Sequence, residues 1–296
     1  MSFFYKTKLF MMLGLLFNLA CFHNSQIKTS SFQDAVVEKP IKVALVLGGG
    51  GARGFAHIGV LEELENAGIE IDTIVGCSAG SLVGALYAKY KSAKILRKIL
   101  IHKKNEDLFE VDFLKSKLGL ANRNKLKTFL SKHLGNSKFS DLKIGLNVVA
   151  TDLVTGKLIN FKEGNLIKAL LASSAYPIVF PPVKYKDYVL VDGGVLDPIP
   201  CDLAKKTGAK LVIAVDISKD LEPFESQSMF SLLKRSMELG WYKHTKDSLK
   251  KADLVLHPDL KKMGTFSDKN NHKAYQLGKI EAKRNIEKIK ELLRNL

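Results

Sequence analysis

Cysteine is scarce in this chain. Cys21, Cys77 and Cys201 are the only three among 296 residues, which excludes a disulfide framework. None stands at metal-ligand spacing, so no metal site is expected. Zinc-finger spacing and RNA-binding signatures are missing too, and with them the usual marks of a nucleic-acid partner. There is no internal repeat and no low-complexity tract. Acid is in short supply: 30 aspartates and glutamates face 46 lysines and arginines, a formal net charge of +16. The apolar run at residues 9–20 is too short to cross a bilayer.

What is present starts with that run. Lys6 and Lys8 precede it, and Cys21 follows Leu19-Ala20. A positive start and a short apolar core read as a removable export signal over residues 1–20, with Cys21 a candidate lipoprotein cleavage site. Residues 21–40 are mixed and polar and read as a linker. The expected location is the cell envelope, either periplasmic or membrane-associated. Residues 41–296 then make one domain, with its core at 41–216 and a mainly helical part at 217–296. With nucleic acid set aside, the basic balance points to an anionic membrane surface or an acidic substrate. A lysine excess also serves solubility.

The folded part alternates two periods. Runs at 41–47, 69–75, 146–150, 158–161, 188–191, 210–216 and 252–256 have strand length and apolar character. Helical spacing covers 55–67, 82–90, 93–102, 165–173, 200–207, 226–250 and 272–293. Pro177, Pro181 and Pro182 keep 176–183 out of any helix, and a rigid extended loop is expected there. The stripe Phe230, Leu233, Met237 and Trp241 is read as core-facing. Strands alternating with helices predict an α/β fold, a three-layer sandwich with a mostly parallel central sheet.

The chemistry sits at the strand ends. Gly76-Cys77-Ser78-Ala79-Gly80 joins a strand to a helix. Such a turn lifts one hydroxyl to the mouth of the sheet. A serine is a poor nucleophile until a base takes its proton, and its tetrahedral intermediate needs donors for the oxyanion. Gly49, Gly50 and Gly51 precede a helix and can aim N–H groups at that charge, with Ala79 a further candidate. Arg53 lies in the same turn, placed to bind an anion or to brace the loop. Asp192 ends a strand before Gly193 and Gly194 and is the favoured base. A triad through His244, His257 or His272 is the alternative. Gly49, Gly51 and Gly54 also spell G-x-G-x-x-G, the mark of an NAD(P)-binding oxidoreductase. That reading needs an acidic residue at the end of the second strand, and Glu70 and Asp72 come too early.

Together these pieces resemble the patatin-like phospholipase family. The matching blocks are GGGGARGFAHIGVL at 48–61, GCSAG at 76–80 and VDGG at 191–194, with ATDLVTG at 150–156 and SSAYPIVFPPV at 173–183. The resemblance implies a serine lipid acyl hydrolase acting on phospholipid or lysophospholipid through an acyl-serine, without metal or cofactor. It implies a dyad of Ser78 as nucleophile and Asp192 as base. The glycine turn maps to the oxyanion hole, and Arg53, Gly54, Gly76, Gly80, Gly193 and Gly194 support the motifs. The family usually carries Asn near position 197, where this chain has Asp197. The basic cluster from Lys89 to Lys104 is a candidate contact for anionic headgroups. The remaining alternative is a catalytically silent lipid-binding protein.

Overall fold

A computed structural model describes residues 40–296, apart from 109, 112–120, 226–227, 261–262, 266 and 268. The expected leader, Cys21 and all but the last residue of the linker lie outside the described residues. In chain order the first elements are β1 (Val43–Leu47), α1 (Phe55–Asn66), β2 (Thr73–Cys77), α2 (Ala79–Tyr90) and α3 (Ala93–Leu100). There follow α4 (Asn105–Leu108), β3 (Glu110–Val111), β4 (Ala121–Asn122), α5 (Asn124–Leu134), β5 (Gly145–Asp152), β6 (Leu158–Phe161) and α6 (Leu166–Ser173). The chain closes with β7 (Val183–Tyr185), β8 (Tyr188–Asp192), α7 (Cys201–Lys206), β9 (Leu211–Val215), α8 (Met229–Leu249), β10 (Leu254–Leu256) and α9 (Asn271–Arg294).

The main sheet runs β10-β9-β1-β2-β5-β8-β7, with β6 also paired to β5. The pairs from β10 through to β5 are parallel, while β6 and β8 lie antiparallel to β5. Every residue of β1, β2 and β9 is buried. That is the pattern of central strands covered by helices on both faces, and it accounts for their unbroken apolar runs. The expected α/β sandwich with a mostly parallel sheet is therefore the observed fold.

Register brings the chemistry-bearing turns to one edge. Leu47 pairs with both Gly76 and Val215, so the turns after β1, β2 and β9 leave the sheet side by side. Cys77 pairs with Val149 on β5, and the next residue of β5, Ala150, pairs with Asp192. Asp192 thus comes down an antiparallel strand to the level of Ser78. Two strand spacings, about 10 Å, separate them, and the turn at Ser78 spans the gap.

Three local readings are corrected. The strand before the serine is Thr73–Cys77 and the next helix starts at Ala79. The turn carrying the serine is therefore tighter than the 69–75 and 82–90 runs implied. Within 176–183 the chain is not extended: the Phe180 N–H donates to the Tyr176 carbonyl, closing a turn around Pro177. The stripe on α8 turns inward only in part. Leu233 stands in solvent, whereas Met237 and Trp241 are half-buried and the Trp241 ring packs edge-on against Tyr176; the Phe230 side chain lies outside the described residues. By contrast α9 packs closely on α1: a Cβ on Gly278 would lie 2.0 Å from the Ala56 carbonyl oxygen, and one on Gly59 2.0 Å from that of Tyr275.

Candidate active site

Ser78 occupies the turn between β2 and α2 at φ 52° and ψ −122°. A side chain at positive φ is strained and persists only where its surroundings enforce it. Here the Ser78 N–H donates to Ser173 Oγ at 2.9 Å, and its carbonyl accepts from Ser81 Oγ at 2.7 Å. The flanking glycines are set by close approach. A Cβ on Gly80 would lie 2.0 Å from the Leu47 carbonyl oxygen, and one on Gly76 2.6 Å from Ser81 Cα. The Ser81 contact is local, three residues along the chain, whereas Ser173 reaches the turn from 95 residues away.

The Ser78 hydroxyl donates to Asp192 Oδ2 at 2.6 Å. Asp192 is wholly buried, and its Oδ1 accepts from the Gly194 N–H at 2.9 Å and from the Cys77 thiol at 3.7 Å. Burial pushes its carboxyl up to about 6, held back by the hydrogen bonds from Ser78, Gly194 and Cys77 and by the Arg123 cation. At neutral pH the group is ionised yet keeps real proton affinity. Arg123 escaped the sequence reading, since an arginine between polar residues gives no local hint of its target. Its guanidinium donates to the carbonyls of Leu171 and Pro181, and burial brings it down to about 10, so it stays charged.

Among the described residues no histidine is hydrogen-bonded to Ser78. His257 Nδ1 pairs with Asp216 Oδ2 at 3.0 Å, while His244 and His272 are exposed. His57 Nε2 donates to the Gly48 carbonyl at 2.9 Å, and burial lowers its pKa to about 4. A carbonyl only accepts, so Nε2 carries the proton of this neutral ring.

The glycine turn is wired less simply than its spacing suggests. The Gly49 N–H donates to the Pro198 carbonyl at 2.9 Å. That corrects its expected place as an oxyanion donor: the amide is committed to anchoring the turn. The Gly50 and Gly51 N–H groups carry no hydrogen bond among the described residues, nor does that of Ala79. Gly49 is needed instead for space, because a Cβ there would lie 3.3 Å from Ser78 Cβ. Gly51 sits at φ 59°, where a Cβ would strike the Thr265 carbonyl oxygen at 2.2 Å. Arg53 braces the loop through a 3.4 Å bond from Nε to the Gly50 carbonyl. Gly54 lets the Ala79 methyl approach, and Gly193 and Gly194 admit Val149 and the Trp241 ring against the Asp192 turn.

Two cavities flank this turn. One, of about 120 Å³, reaches from Ser78, Gly51 and Ala79 between apolar side chains that include Ile58, Leu86 and Leu130, with Lys103 and Lys104 also in its wall. The other, of about 260 Å³, has a mixed lining that includes Gly49, Arg53, Lys219, Phe224 and Glu238. Trp241 lines both.

A serine on a strained strand-to-helix turn, bonded to a buried carboxylate, is an arrangement suited to ester hydrolysis on an α/β sheet. The comparisons narrow the class. The profile described as Patatin-like phospholipase matches residues 45–205, and the chain belongs to that family. It is 35% identical over 234 residues to Patatin-like phospholipase domain-containing protein 6 of Mus musculus, covering 74% of this chain and 16% of that protein. It is 35% identical over 179 residues to a lysophospholipase of Debaryomyces hansenii, covering 59% of this chain and 12% of that protein. The chain thus spans less than a fifth of either relative. Among solved structures, VipD from Legionella pneumophila shares the fold with a TM-score of 0.58 and 14% identity, over 84% of this chain and 67% of that one.

Proposed function

We propose that this chain is a serine lipid acyl hydrolase of the phospholipase A or lysophospholipase type, with Ser78 as nucleophile and Asp192 as base. The observation that carries the proposal is the 2.6 Å bond from the Ser78 hydroxyl to a fully buried carboxylate at the head of an apolar cavity. Ser78 Oγ attacks the ester carbonyl carbon while its proton passes to Asp192 Oδ2. The oxyanion lies toward the N–H groups of Gly50, Gly51 and Ala79, and the N-terminal dipole of α2 favours the charge. One such donor is worth about 3 kcal/mol. Asp192 returns the proton to the departing alcohol, leaving an acyl-serine. Water then attacks the acyl carbon, gives its proton to Asp192, and the serine leaves with that proton.

An aspartate is a weak base toward an alcohol, so the oxyanion donors carry much of the barrier. The apolar cavity takes the acyl chain, each buried methylene contributing roughly 0.8 kcal/mol. Lys103 and Lys104 suit a lipid phosphate at the same cavity. The printed name of the Debaryomyces relative favours a lysophospholipid as first substrate to test. Export to the cell envelope, read from residues 1–20, sets the enzyme beside an anionic membrane. The test is to label the protein with a fluorophosphonate and to assay lysophospholipid hydrolysis. Label on Ser78, and turnover lost in Ser78→Ala, support the reading. Lipid binding without turnover in the wild type would leave only a lipid-binding protein.

A further inference from the structure

The apolar side of α8 faces water. Met229, Leu232, Leu233 and Leu239 are 72%, 46%, 52% and 48% exposed. Their spacing places them on one stripe of the helix, and Ser236 and Gly240 fill the same stripe without charge. The opposite side carries Arg235, Glu238 and Trp241, which line the larger of the two cavities, where Gly49 and Arg53 also stand. A helix that rests on a core shows the reverse polarity. Phe224, just ahead of α8, is also exposed, and the Arg235 guanidinium lies 5.4 Å from its ring.

Charge says what covers the stripe. Lys234, Arg235, Lys243 and Lys246 on α8 outnumber Glu238 and Asp247, and the chain as a whole carries +16. A second copy would bring the same cations to the same place. Area argues the same way. From Met229 to Leu239 the stripe is about 15 Å long, and a strip one helix wide falls far below the roughly 800 Å² per partner of a stable protein interface. An amphipathic helix with cations beside a narrow apolar face is suited instead to lie in a lipid headgroup layer.

We infer that the outer face of α8 docks this protein on an anionic phospholipid surface, with Met229, Leu232, Leu233 and Leu239 entering the boundary between headgroups and acyl chains. The inference rests on the lipid acyl hydrolase reading for its purpose. It also explains why an apolar stripe stays uncovered beside the catalytic turn. Trp241, on the same helix, is in the wall of the cavity that holds Ser78. Docking therefore brings lipid within about one helix diameter, some 10 Å, of the catalytic cavities.

The test uses the full chain as wild type and as the double variant Leu232→Ser, Leu233→Ser. Sedimentation with phosphatidylcholine vesicles, with and without phosphatidylglycerol, reads docking, and hydrolysis of p-nitrophenyl butyrate reads the chemistry. Each half-exposed leucine withdrawn from water should favour partition about fivefold, so the double variant should bind mixed vesicles about thirtyfold more weakly. Its butyrate hydrolysis should change less than twofold. Equal vesicle binding by wild type and variant overturns the inference. So does a wild-type dimer in sedimentation velocity that the variant converts to monomer, which would assign the stripe to a second copy. A wild type that cleaves butyrate yet ignores vesicles sinks docking and leaves the hydrolase reading standing. A wild type that docks but does not cleave butyrate does the opposite.

Discussion

Two aspartates, both almost fully buried, stand at the edge of the sheet that carries Ser78: Asp192 ends β8 and Asp216 follows β9. Their surroundings differ. Asp192 meets a hydroxyl, a main-chain N–H and a thiol, all neutral, and burial pushes it up to about 6. Asp216 is subject to the same burial. The His257 ring, the Ser218 hydroxyl and the Ser218 N–H nevertheless hold it below the ordinary carboxylate range. Beyond them lies the Arg53 guanidinium, which Asp216 helps to keep charged. Burial alone therefore does not make a base. A buried carboxylate whose hydrogen bonds all come from neutral donors keeps an appetite for a proton even with the Arg123 cation acting on it, whereas one hydrogen-bonded to a basic ring becomes a fixed counter-ion. The His–Asp pair that a triad search would select is the counter-ion, and the carboxylate without a histidine holds the serine.

The sharpest way to break this contrast is to remove the two carboxylates in turn. Asp192→Asn and Ser78→Ala should each lower kcat/KM for an ester by at least about a thousandfold. Asp216→Asn, provided its circular dichroism is native, should lower it less than about tenfold. Equal losses at 192 and 216 would erase the distinction.

The pH profile sharpens it further. A base with a pKa of about 6 makes kcat/KM rise through that pH and level off above it. His257→Gln should leave the midpoint in place. Arg123→Met, which removes the cation facing Asp192, should move the midpoint upward. A midpoint that follows His257 instead would return the histidine to the mechanism.

Stability gives a third test. Because the folded pKa of Asp192 lies above its ordinary value, folding favours the protonated form. Its ionisation destabilises the protein progressively as pH rises from about 4 to beyond 6. The shift from 3.8 to about 6 corresponds to roughly 3 kcal/mol. Asp192→Asn, which cannot ionise, should therefore melt higher than wild type at pH 8, and the gap should close below pH 4. Thermal melts across that range decide the point.

The smallest effect belongs to the other pair. The pKa of His257 is raised, first by its hydrogen bond to Asp216. Its contribution is complete below an ordinary histidine pKa of about 6.5 and fades as pH passes its raised value. Asp216, lowered, contributes from about pH 4 upward and loses that contribution as pH falls through its own value. His257→Gln should thus lower the melting temperature more at pH 6 than at pH 9, with ester hydrolysis within about threefold of wild type.

Much of this was legible along the chain. The apolar runs of β1, β2 and β9 announce buried parallel strands because such strands are covered on both faces. The glycines beside Ser78 and Asp192 announce tight turns because backbone approaches within 3 Å leave no room for a Cβ. Other features were not legible. The loss of Gly49 as a donor depends on the Pro198 carbonyl, about 150 residues away. Arg123 reaches carbonyls 48 and 58 residues away and Ser173 an N–H 95 residues away, and nothing beside them in sequence names those targets. Helical spacing on α8 picked out the stripe that ends at half-buried Trp241 but gave no sign that Met229, Leu232 and Leu239 beside it face solvent. Periodicity measures the contrast between two sides of a helix, and only the neighbours decide which side is covered.

The order of residues by itself determined the strands, the turns and the three short blocks that carry serine, glycine and aspartate, since these depend on local sterics and burial pattern. Sequence motifs named Ser78 and Asp192 as partners, but tertiary structure alone set their contact, gave His257 to Asp216 and turned the α8 leucines to solvent. The strand order β2-β5-β8 and its register set those meetings, and pairing between strands far apart in sequence leaves no trace in the neighbours of either one.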